Sequence, residues 1–157
     1  MPETRHRRRQ IFEAIKAVLS GIDVFFADGK VNLGRTKPVR EEALPALSVT
    51  WATDPETAEQ RPHTGADGAL GYKRRLIAAI FVHLKDSDPL EQFDEIAVKV
   101  EAAMAADTTL GGLAVDCALD QSQLFINPET GLPLSLGRID YVIDYTADAA
   151  NPVLGAL

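Results

Sequence analysis

Three pairs of carboxylates stand close together in this chain: Asp86 with Asp88, Asp94 with Glu95, and Asp140 with Asp144. Two acids at such spacing can divide into a general acid and a general base, or hold a hard cation between their oxygens. Asp140 and Asp144 fall on one side of an alternating strand pattern, so a charged solvent face accounts for them equally well. The histidines are His6, His63 and His83, and none has a second His or a Cys at metal-ligand spacing. His83 ends an apolar run, the position of a satisfied, partly buried histidine. His63 lies in a polar stretch and reads as solvated. Cys117 is the single cysteine, so it forms no internal disulfide and no Cys-based zinc site by itself. It reads as a small buried hydrophobe in a reducing compartment.

The glycines of Gly65-Ala66-Asp67-Gly68-Ala69-Leu70-Gly71 lack the Lys-Ser/Thr of a phosphate loop and do not join a strand to a helix. A Gly-x-Ser-x-Gly elbow does not occur. The expectation is therefore a protein with no catalytic residues, no cofactor and no metal. What remains are two basic clusters: Arg7, Arg8 and Arg9 near the N-terminus, and the run Lys73, Arg74 and Arg75. Either is a candidate contact to acidic residues of a neighbouring subunit, and either is also what a solvated element end looks like. Elsewhere the chain is acidic, with a net charge of −7 and a pI near 4.9. Such a balance disfavours general binding to nucleic acid or anionic membrane, both polyanions. No apolar run reaches membrane-spanning length, and Ile11–Leu19, broken by Glu13 and Lys16, is not the core of a signal peptide.

The elements that would position these groups follow from hydrophobic period. Ile11, Phe12, Ile15, Val18 and Leu19 make a helical stripe over 5–20, ended by Gly21. Cations at that helix's N-terminus oppose its dipole, so the arginines carry a small cost, fray into solvent or meet a partner. Val24, Phe25 and Phe26 are strand formers, and Asp28-Gly29 signals a hairpin to Val31 and Leu33. Leu47, Val49 and Trp51 share one face of a strand. Residues 53–71 hold two prolines and three glycines and read as a long mobile loop. Residues 73–85 form a near-continuous apolar strand, covered on both faces. Asp88-Pro89 caps a helix over 89–106, with Leu90, Phe93, Ile96, Ala97, Val100, Ala103 and Met104 on its stripe. Strands follow over 113–126 and 134–146, with Asn127–Gly131 as the turn between them. The tail 147–157 has no period.

Two amphipathic helices need a surface to cover, and the strands supply it. The 157 residues suit one domain. The expected fold is α+β: a mixed, mostly antiparallel sheet of about four or five strands with the two helices packed on one face.

The order of pieces resembles the tail terminator (tail completion, minor tail protein U-like) family of long-tailed bacteriophages and related phage-derived, gene-transfer-agent-like particles. The resemblance is carried by Arg8-Arg9-Gln10-Ile11-Phe12-Glu13-Ala14-Ile15 leading to a strand, and by Leu44-Pro45-Ala46-Leu47-Ser48-Val49. It continues in Val82-His83-Leu84 before Asp88-Pro89-Leu90-Glu91-Gln92-Phe93-Asp94-Glu95-Ile96, then Leu110-Gly111-Gly112-Leu113 with Val115-Asp116, and the closing Tyr141-Val142-Ile143-Asp144-Tyr145. It spans roughly residues 8 to 146 and is one of pattern, without a diagnostic motif.

Such a resemblance implies an α/β fold with a mixed sheet flanked by helices, and a virion protein that is not an enzyme. It implies a homo-hexameric ring on the head-proximal end of the tail tube, assembled in the host cytoplasm. The ring stops tube polymerisation and meets a head connector or neck protein, while DNA passes through the lumen without sequence-specific binding. Two alternatives stand beside it: another head–tail joining protein, which would bind portal or adaptor instead of tube, and a small α+β enzyme or ligand-binding domain, which would need a deep pocket with converging polar groups.

Overall fold

The computed structural model describes residues 4–34, 38–85, 87–126 and 134–155. Its elements are α1 (Arg7–Ser20), β1 (Val31–Leu33), β2 (Ala46–Trp51), β3 (Thr57–Arg61), β4 (Gly71–Lys85), α2 (Pro89–Ala105), β5 (Asp116–Ile126) and β6 (Leu134–Asp148). The six strands form one sheet in the order β1-β2-β4-β6-β5, with β3 pairing β4 beside β2. Only β1 and β2 run parallel; the other pairs are antiparallel. The fold is α+β as expected, with six strands where four or five were read.

The helices form where their stripes dictate. Ile11, Ile15 and Leu19 of α1 are fully buried, as are Phe93, Ile96, Val100 and Met104 of α2 to within a few per cent. Each such side chain contributes about 1.5–3 kcal/mol of burial. Asp88 caps α2 by accepting from the Glu91 amide at 3.1 Å, with Pro89 at the first helical position. Both helices pack on the side of the sheet that carries Leu76, Ala78, Ile80, Val82 and Leu84 of β4 and Ile139, Tyr141, Ile143 and Tyr145 of β6. The alternate residues, among them Arg75, Ile77, Ala79, Phe81, Arg138, Asp140 and Val142, line the opposite face. Neither α-helix lies on that face, although Ala79 and Asp140 on it are fully buried.

Three readings of the sequence need correction. Asp23–Phe25 is a 3-10 turn, not a strand, and Asp28-Gly29 closes no hairpin, because β1 pairs parallel with β2. The turn sends Phe25 into the core and leaves Val24 and Phe26 exposed, at 37% and 66%. The stretch 53–71 is not loop throughout: Thr57–Arg61 pairs with Gly71–Arg75 as β3, although all five of its residues are exposed. Its signal is weak because a wholly exposed strand has no apolar alternation. The last strand runs on to Asp148, so the irregular tail begins later than residue 147, and Asp148 accepts from Ala66, Ala150 and Asn151 to hold the chain there. The turn Asn127–Gly131 and Asp86 lie outside the described residues.

Candidate functional site

The two basic clusters that stand out in the sequence meet in space, around an acid that does not. Arg8 and Arg74 each donate to Glu56 Oε2, at 2.9 and 3.1 Å, and the Tyr145 hydroxyl donates to Glu56 Oε1. The Glu56 side chain is 7% exposed. The Arg8 guanidinium lies 4.2 Å from the centre of the Trp51 ring, and Arg74 lies 5.5 Å from that of Tyr72. One carboxylate thus faces two cations, each backed by an aromatic ring. Burial and the short bond to Glu56 push the Tyr145 phenol well above its ordinary range. His6, beside this cluster, is lowered by burial and then by Arg8 and Arg74. Its Nδ1 accepts from the Arg8 amide at 3.0 Å and caps α1.

The neighbouring arginines are also satisfied inside the chain. Arg7 donates from Nε to Leu113 O at 3.2 Å and from Nη2 to Gly112 O at 3.0 Å, fastening α1 to the turn before β5. Arg9 bridges to Glu13 at 2.8 Å. Neither fraying nor an outside partner is needed to neutralise the helix start. Arg75 makes a two-pronged contact to Asp144, at 2.8 and 3.1 Å. Lys73 is exposed and pairs in register with Glu59. Lys73 and Arg75, with Thr57, Ala58, Glu59 and Asp144, line a shallow hollow on the face away from the helices. Positive and negative groups alternate in it.

Of the two carboxylate pairs that lie wholly among the described residues, neither forms an open acid/base or cation site. Asp140 is fully buried, not part of a solvent face: it accepts from Arg138 Nε and Gln121 Nε2, both at 2.8 Å. Asp144 is engaged with Arg75 one row along. Asp94 and Glu95 sit on the exposed side of α2. Ser48 Oγ and His83 Nε2 lie 2.9 Å apart, the spacing of a nucleophile and its base. Ser48 is 7% exposed and lies flat in β2, so its oxygen is not presented to a substrate. Burial, with Asp116 adding to it, pushes the Cys117 thiol up to about 12, the state of an inert core cysteine. Among the described residues no three His, Cys, Asp or Glu side chains gather in a way that could hold a metal ion. No described helix is long and apolar enough to cross a membrane.

What the sequence does not reveal is Glu56 as the hub, Tyr145 as a donor, and Trp51 and Tyr72 as the rings behind the arginines. Glu56 lies in a Pro- and Gly-rich stretch with no local pattern, and only the tertiary fold brings it to Arg8 and Arg74.

The other open feature is the sheet boundary. β5 is paired to β6 on one side and to no described strand on the other. Along it Leu119, Phe125 and Ile126 are 48%, 43% and 56% exposed. A bulge at Asp120 interrupts its register. At the far side β3 likewise presents an unpaired edge.

No protein-family model matches the chain, and no curated protein matches it in sequence. Among solved structures it is similar to a chain described as "Virion of native gene transfer agent (GTA) particle", with 12% identity over 85% of this chain and 90% of that one, at a TM-score of 0.44.

Proposed function

We propose that this chain is a structural assembly protein of a phage or phage-derived particle, and within that class a tail terminator: a ring on the head-proximal end of the tail tube that stops polymerisation and offers a surface to the head connector. The reading rests on the resemblance in the order of elements. The observation that supports it is the sheet, covered by helices on one face and, among the described residues, with unpaired edges at β1, β3 and β5, the last lined with exposed apolar side chains. Edges of this kind are templates for another chain. In this reading the protein works through surfaces, with no turnover and no cofactor, and DNA traverses the ring without being read. Lys73, Arg75 and the exposed Arg9 are the basic groups left at the surface for subunit or tube contacts; Arg7, Arg8 and Arg74 serve the fold.

The experiment is to polymerise the cognate tail tube protein with and without this protein and to measure tube length by electron microscopy. Tubes capped at one end and stopped in growth are expected. Tubes of unchanged length, with the protein bound instead to portal or adaptor, would move the assignment to a neck protein.

A further inference from the structure

We infer that copies of this chain join head to tail by adding β5 of one copy, antiparallel, to the free edge of β3 in the next. This supplies the subunit contact that the ring reading above needs. The sheet topology sets the direction. β3, β4, β6 and β5 are consecutive neighbours and each pair is antiparallel. Three reversals leave β3 and β5 running opposite ways. Copies laid side by side in one orientation therefore bring β5 against an oppositely running β3, the geometry of an ordinary antiparallel ladder.

Charge decides against the alternative, β5 against a second β5. Between Asp116 and Ile126 the strand has two acids and no cation, so self-pairing would set four carboxylates on one seam. The β3 edge has no such excess of acid: its Glu59 is paired with Arg61 at 2.7 Å and stands opposite Lys73 one strand behind.

Side-chain alternation narrows the register. Glu59 is opposite Lys73, on the face away from the helices. Gln121 is opposite Asp140, on the same face. Setting Glu59 against Gln121 of the neighbour keeps both helical layers on one side of the joined sheet. It also brings Gln60 level with the bulge at Asp120, with Arg61 the next residue along. Gln121 is level with Ala79 of β4 and Glu59 with Lys73, so each copy steps by about six residues along the strands. A stagger of this kind is what closing a sheet on itself requires. The same step stops the incoming β5 short of β1, which occupies that column level with Ile80 to Val82.

The test is a disulfide across the seam, in a Cys117→Ser background so that no native thiol competes. Within one chain residues 59 and 121 are separated by three strand spacings across the sheet, about 14 Å, and by six residues along it, beyond the reach of a disulfide. Glu59→Cys with Gln121→Cys is expected to give a ladder of covalent oligomers under mild oxidation, and each single variant none. Thr57→Cys with Gln123→Cys is the second pair in the same register, should the first fold poorly. Ala58→Cys with Gln121→Cys, facing opposite sides, is expected to stay uncrosslinked. Dimers from Gln121→Cys alone would overturn the proposal in favour of β5 self-pairing. So would monomer throughout, or oligomers by light scattering without a ladder from either pair. A ladder from a protein that leaves tubes uncapped would keep this contact and remove the terminator reading; capping without a ladder would do the reverse.

Discussion

Arg8 and Glu56 meet at 2.9 Å, and through that contact the first turn of α1 is tied to the segment that leads into β3. Arg74 of β4 and Tyr145 of β6 share the same carboxylate. Removing its charge leaves two guanidinium groups facing each other in a mostly buried site. Glu56→Gln is expected to cost about 3 kcal/mol, the scale for breaking one side of a buried ion pair, and to lower the urea midpoint accordingly. Arg75→Ala, which breaks the exposed bridge to Asp144, is expected to leave the midpoint unchanged. Equal shifts in the two variants would show that Glu56 is not a hub.

Gly137 lies under the ring of Phe93, and a methyl group there would fall inside the ring's van der Waals envelope. Gly137→Ala is expected to push α2 off the sheet and destabilise by about 1–3 kcal/mol, the range for overpacking. Adding Phe93→Leu should recover part of that loss. A double variant no better than the sum of its singles would refute the steric account.

Cys117 titrates near 12 in the folded chain against an ordinary 9.0, because burial disfavours the thiolate. Tyr141 and Tyr145 are raised for the same first reason. A raised folded pKa means the folded state holds its proton longer than the unfolded one. The associated stability is complete below the unfolded pKa and is lost as pH rises through the folded value. Chemical denaturation should therefore show stability falling steadily above about pH 9. At pH 8 a thiol reagent should label Cys117 only on unfolding. Prompt labelling of the native protein would contradict its burial.

On the acid side the group to watch is His6, whose pKa is lowered by burial and then by Arg8 and Arg74. Below 6.5 the unfolded chain takes up this proton first, so the contribution is present at higher pH and is lost as pH falls through the folded value. Protonation also converts Nδ1 from the acceptor that caps α1 into a donor. Hydrogen exchange of the Arg8, Arg9 and Gln10 amides should accelerate as pH falls from neutral through the lowered folded value, beyond the intrinsic pH dependence. Protection unchanged in that range would rule His6 out as a cap.

The parts of the fold legible in the sequence are those where burial imposes a period. The stripe of α1, that of α2 except for Leu90, which is 58% exposed, the cap at Asp88-Pro89 and the alternation of Ile139, Tyr141, Ile143 and Tyr145 all lie where the pattern puts them. Propensity misleads at Val24–Phe26, where only Phe25 finds a place in the core. Pattern fails at β3, because a strand exposed on both faces carries no apolar signature. The polar hub was half legible: Arg8 and Arg74 stand in obvious basic runs, but Glu56 is drawn to them by pairings 48 and 18 residues distant in sequence. Asp140 misleads for a related reason, since strand alternation gives its face but not the Arg138 and Gln121 groups that cover it.

The central claim is that this chain assembles with copies of itself at a tube end. The direct measurement is its mass by light scattering over a concentration series, with and without the cognate tail tube protein. A closed oligomer of about six copies is predicted, or a monomer that caps tubes and fixes their length. A monomer at every concentration that ignores tubes would contradict the account.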